Sequence, residues 1–161
     1  MMTKSHSDYE RKLLSTIEEH GWQFTFVFDP DGEEPDIGYS VGFTKTLKAP
    51  EFIIFGLPKD LMSSMLWEVY RQIQNGAEPE DGMAWEGLLE GFSCISRKAI
   101  HKELHTEYTV SANWLWRENG NVGAPEVFQL VWPGAQQGLF PWEEGCVQDV
   151  IDRQPSLWLS E

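Results

Sequence analysis

The chain has 161 residues, with 26 acidic against 12 basic side chains and a formal charge of −14. That length suits one domain, and eight Trp, nine Phe and four Tyr supply the apolar area of a core. The charge repels a phosphate backbone and an anionic bilayer, and no apolar run approaches the ~20 residues of a membrane span, which excludes nucleic acid and membrane as partners.

Residues 1–6 are expected to be disordered. Ser7 and Glu10 then spell an S-x-x-E capping box. Leu13, Leu14 and Ile17 follow at helical spacing, and Gly21 stands where a helix ends in a left-handed residue. Trp22, Phe24, Phe26 and Phe28 alternate, as do Ile37, Tyr39, Val41 and Phe43, which predicts two half-buried strands. The "DPDGEEPD" between them predicts a hairpin with a long acidic tip. Residues 52–57 are apolar at nearly every position, as in a central strand covered on both faces. Residues 59–76 predict a helix with Leu61, Met65, Leu66, Val69 and Ile73 on one stripe.

Residues 77–91 read as acidic and irregular, and "FSCIS" (92–96) as a short strand. Residues 96–116 put Ile100, Leu104, Tyr108, Ser111 and Leu115 on one helical face, with Ser96 as N-cap. Residues 126–132 form the last strand, which Pro133 ends, and 133–161 is a long loop-rich segment. The first two strands lack a crossover helix, so the expected fold is α+β. It is a single two-layer domain over 1–161, with about three helices on a mostly antiparallel or mixed sheet of about five strands.

Few residues carry a chemical motif. His101 and His105 in "HKELH" sit at i, i+4, but Lys102 and Leu104 stand where zinc-protease patterns need Glu. The acids of residues 29–36 lack the glycine and glutamate placement of a calcium loop. Cys94 falls in a strand, where a thiol packs as a small apolar group. Cys146 has carboxylate neighbours that raise its pKa. Two cysteines make no disulfide framework, and the charged first residues lack the apolar stretch of a secretory signal, so the expected compartment is the cytoplasm. No nucleotide loop or nucleophile elbow occurs. No catalytic residue, metal site or cofactor is assigned.

The stretch "QLVWPGAQQGLFPWEEG" (129–145) concentrates Trp, Pro and Gly in a connection. Its prolines pre-organise the backbone, and its rings can clamp the C-terminal segment onto the sheet. Alternatively Trp132, Phe140 and Trp142 line a groove beside His20, Trp22 and Tyr39, with Gln129 and Glu143 as further polar groups. Both versions require the late rings and the early hairpin to meet.

"HGW" (20–22), "YSVGF" (39–43), "PEFIIFGL" (50–57), "QLVWP" (129–133), "GLFPWEEG" (138–145) and "QPSL" (154–157) occur in that order. This string resembles the bacterial domain-of-unknown-function family 4262 from about His20 to Leu157. The resemblance implies a small, stand-alone bacterial cytosolic protein, and it transfers no catalytic residue. Gly134 departs from a pattern in which members often carry Asp after Trp-Pro.

No Lys or Arg lies between Arg71 and Arg97 or between Arg117 and Arg153, while acids recur through both intervals. Such a field steers a cationic partner. The expected function is therefore a non-catalytic protein-binding module, immunity- or antitoxin-like, for a basic protein. The alternative is a small-molecule-binding protein or hydrolase-type enzyme using His20, Tyr39, Gln129 and Glu143.

Overall fold

The structure is a computed structural model and describes residues 5–161. Most of the stretch expected to be disordered, residues 1–4, lies outside the described residues. Ser5 and His6 belong to the same expectation, but His6 is held: its Nε2 lies 2.6 Å from Glu118 Oε1 and its ring meets Trp114 edge-on.

Helix α1 (Asp8–His20) begins at the capping box, where Glu10 N–H donates to Ser7 Oγ at 3.1 Å and Ser7 N–H to Glu10 Oε1 at 2.8 Å. Gly21 ends it at φ 93°. The antiparallel hairpin β1 (Gln23–Val27) and β2 (Ile37–Val41) follows, then a one-turn helix α2 (Phe43–Thr46), β3 (Glu51–Phe55) and helix α3 (Lys59–Gln74). Strands β4 (Met83–Leu89) and β5 (Phe92–Lys98) form a second hairpin. A five-residue π-helical turn (Leu104–Tyr108), α4 (Val110–Glu118), β6 (Val127–Val131) and α5 (Gln148–Asp152) complete the described elements.

One mixed sheet runs β1-β2-β3-β6-β5-β4. Two antiparallel meanders meet at a parallel β3/β6 pair, and α3, the second hairpin and α4 supply the crossover that parallel strands require. β3 and β6 are buried at every residue, as a central pair covered on both faces should be. Alternate residues divide the core. Phe52, Ile54, Phe128 and Leu130 face α3 with Met62, Met65, Leu66 and Trp85, while Ile53, Phe55 and Val127 face α1 and α4 with Leu13, Ile17 and Leu115.

The α+β class holds, with six strands rather than about five and more than three helices. The two-layer expectation is corrected: helices cover both faces of the β1–β3 and β6 half. The cause lies in β2, where Tyr39 and Val41 feed one core while Gly38 packs under Phe24 toward α3.

Two local readings also change. Residues 77–91 are not irregular throughout, because β4 lies among them. Its ladder with β5 shifts between Trp85 and Leu89, and Gly87 takes φ 81°, so buried Trp85 and Leu88 sit three apart and hide the period of two. The helix expected over 96–116 is broken. Residues up to Lys98 belong to β5, and Ala99, Ile100 and His101 give their N–H groups to Val127 O and Leu157 O at 2.8–3.1 Å. Tertiary bonds outbid the helical pattern there.

Candidate functional site

Where β1 leaves the sheet, Val27 and Phe28 stand 43% and 59% exposed, although both are large and apolar. The chain then enters the acidic tip, which Asp29 organises. Its carboxylate accepts N–H groups from Asp31 at 3.0 Å and from Glu33 and Glu34 at 3.1 Å each. These bonds, Asp31's first, hold the Asp29 carboxyl below its usual pKa. The tip is an ordered bracket, and Glu34 is placed by it.

The π-helical turn faces this bracket. Thr109 donates its N–H to Leu104 O at 2.8 Å and its hydroxyl to the same oxygen at 3.2 Å, closing the wide turn. Glu103, Glu107 and Tyr108 line one side of a groove of about 390 Å³, and Val27, Phe28, Asp29, Glu34 and Pro35 the other. Ile37, Phe55 and Pro155 make its floor, where Tyr108 meets Phe55 edge-on at 5.8 Å.

Among the described residues, four carboxylates and no Lys or Arg line this groove. Tyr108 reports the field: burial first, then Glu34, Glu103 and Glu107, push its pKa above the ordinary 10.0. Arg153 lines the neighbouring cavity that shares Glu34 and Pro35, and it is paired with Asp149 at 3.0 Å. Acids above exposed rings suit an ammonium or guanidinium group, which gains charge pairing, stem burial and cation–π contact together.

The eight residues singled out in the sequence are dispersed. None of them lines this groove or the four other cavities of similar size. His20 is exposed at the end of α1. Trp22 is buried against Phe43, Trp67 and Tyr70 on the α3 face, whereas Tyr39 is buried on the opposite face and accepts Ser111 N–H at 3.2 Å. Gln129 donates to Pro155 O at 2.8 Å and accepts Leu157 N–H at 3.0 Å. Trp132 is buried, with its indole N–H on Phe55 O at 2.7 Å.

Phe140 and Trp142 stack at 5.2 Å, and Arg97 lies over Trp142 at 5.0 Å and over Trp158 at 5.4 Å. Glu143 accepts Phe140 N–H at 2.9 Å. Phe140, Trp142 and Trp158 thus gather on β5, where Arg97 offers a cation, whereas Trp132 shares the α3-side core with Trp22. Much of the hold on the C-terminal segment comes from glutamines: besides Gln129, Gln154 brackets the Trp132 backbone, accepting its N–H at 3.0 Å and donating to its C=O at 2.9 Å.

Sequence reasoning passed over Phe28, Glu34, Glu103, Glu107 and Tyr108 as a groove. The one available signal was an acidic tip following the last aromatic of an alternating strand, and nothing local joins it to residues seventy positions on. The His pair is likewise explained by the broken helix. His101 accepts Glu103 N–H through Nδ1 at 3.1 Å, while His105 is partly buried, which lowers its pKa. Among the described residues no three His, Cys, Asp or Glu side chains gather as a metal site.

Three further groups have shifted chemistry without lining the groove. Burial pushes the Cys94 thiol to about 12, and Cys146 is raised by burial and then by Glu143. Glu51, fully buried, closes the N-terminus of α2: it accepts Ser40 Oγ at 2.7 Å, Gly42 N–H at 2.8 Å and Phe43 N–H at 3.0 Å. Desolvation nonetheless raises it to about 7.

Fold and groove together define a small α+β protein with one mixed six-stranded sheet and an acid-rimmed aromatic groove at one end of its first hairpin. The family described as Domain of unknown function (DUF4262) matches residues 16–147, most of the chain, and the protein belongs to that family. No curated protein and no solved structure matches it. Within the matched span, Gly134 is buried under Val150, whose Cγ2 would lie 3.0 Å from an added Cβ, so an Asp there would require Val150 to move. No helix among the described residues is long and apolar enough to cross a membrane.

Proposed function

We propose that this protein is a non-catalytic binding module for a basic protein partner, of the kind an immunity or antitoxin protein represents. The groove between the acidic tip and the π-helical turn is the surface it uses. One observation carries the reading: four carboxylates and two partly exposed rings, Phe28 and Tyr108, converge on one groove that no Lys or Arg among the described residues lines. The net charge of −14 acts in the same direction by attracting a cationic partner from a distance. A Lys or Arg side chain entering the groove leaves water for the rings while its charged end stays among carboxylates.

The test is calorimetric titration with an eight-residue arginine peptide. Binding should weaken with added salt, and Glu34→Gln with Glu107→Gln should reduce affinity on the order of tenfold, since each lost charge pair near the surface is worth up to about 1 kcal/mol. Affinity unchanged in the double variant removes the groove from the reading.

A further inference from the structure

The two ends of the sheet are finished differently. At one end, β4 carries Glu86 and Gly87 mid-strand, its ladder shifts between Trp85 and Leu89, and Glu86 O accepts Gln72 Nε2–H at 2.7 Å. A charge, a bulge and a capped carbonyl are the devices that stop another strand from adding. At the other end, β1 has none of them. Gln23–Val27 contains no charge, Pro or Gly, and its register with β2 is unbroken over five pairs. Among the described residues it pairs with β2 alone, and no side chain hydrogen-bonds its backbone.

We infer that β1 accepts an added strand, donated by an extended basic segment of a partner, with the segment continuing past Val27 and Phe28 into the acidic groove. This rests on the reading that the partner is basic, and it specifies how the partner docks: main-chain hydrogen bonds to β1 give affinity, and cationic side chains meet the groove. Charge decides the occupant. β1 starts just after Glu18 and Glu19 and ends at the tip that carries Asp29, Asp31, Glu33, Glu34 and Asp36. A second copy pairing antiparallel with β1 would set acids against acids at both ends, between chains of −14 each. A Lys- or Arg-bearing strand meets acids at both ends instead, with Lys59, 5.3 Å over the Phe26 ring, as the cation it must pass between them.

The experiment uses three ten-residue peptides: alternating Lys and Thr, the same peptide N-methylated at every residue, and alternating Glu and Thr. Binding is measured by calorimetry and by amide hydrogen exchange of the protein. Strand addition requires the unmodified Lys peptide to slow exchange at alternate β1 amides, and the N-methylated peptide to bind on the order of tenfold more weakly, having lost its edge hydrogen bonds. The Glu peptide should not bind. Equal affinity of both Lys peptides with no protection in β1 overturns strand addition while leaving the groove's preference for basic ligands intact. No binding of either Lys peptide overturns both. Sedimentation showing a dimer with β1 amides already protected assigns the edge to a second copy, which also overturns the proposal.

Discussion

Substituting Glu51 by Gln tests how burial and hydrogen bonding compete at one carboxyl. Both oxygens of Glu51 face donors: Oε1 takes Ser40 Oγ and Phe43 N–H, and Oε2 takes Gly42 N–H and Thr44 Oγ1 at 3.3 Å. Those bonds favour the ionised form, but complete removal from water disfavours it more, and the group titrates near 7 instead of its ordinary 4.5. The folded state therefore holds a proton that the unfolded chain releases near 4.5. The stability tied to that proton is full below 4.5 and is lost as pH rises through 7. Over the whole interval this is roughly 3 kcal/mol, and between about pH 5.5 and 8 it is about 2 kcal/mol.

Glutamine keeps the shape and cannot titrate. With its nitrogen at the Oε1 position it leaves Phe43 N–H unpaired, while the Ser40 hydroxyl can turn, a constant penalty of about 1–3 kcal/mol. Urea unfolding of wild type and Glu51→Gln at several pH values isolates this group from the other acids, which titrate alike in both proteins. The stability gap should narrow by about 2 kcal/mol from pH 5.5 to 8. A constant gap would show that Glu51 does not titrate there. That outcome would mean that the donors outweigh desolvation and hold the carboxyl at or below its ordinary 4.5, which refutes the reasoning.

Gln154→Ala removes both partners of the Trp132 backbone from a fully buried bracket, so urea unfolding should show a loss of about 2–5 kcal/mol; a loss under 1 kcal/mol would mean that the C-terminal segment is held elsewhere. Replacing Glu34, Glu103 and Glu107 together by Gln should move the Tyr108 phenol part of the way back toward 10.0, read by ultraviolet pH titration. The return is partial because burial, not charge, is the larger cause, and an unmoved phenol would place the three carboxylates too far from the groove to act.

What the sequence by itself determined about this protein is whatever neighbouring residues settle among themselves. Helix α1 is local chemistry: the reciprocal Ser7/Glu10 bonds form, and Gly21 takes the left-handed turn. The β1/β2 hairpin and its acidic tip follow from alternation and from Pro, Asp and Gly between the strands. The two-sided burial of residues 52–55 in β3 follows from their apolar run, and the family from blocks spread along the chain.

Tertiary structure decided which faces met. The register of β1 on β2, with Thr25 opposite Tyr39, turned Trp22 and Tyr39 to opposite faces, which alternation along each strand left open, and helices on both faces made each burial complete. The helical stripe through Ile100, Leu104 and Tyr108 lost to hydrogen bonds accepted by the Val127 and Leu157 carbonyls, partners far along the chain that no periodicity announces. The same rearrangement set Glu107 and Tyr108 opposite Phe28 and Glu34. A groove between segments seventy residues apart is a product of chain closure, and its energy lies in contacts that exist only once the sheet has formed.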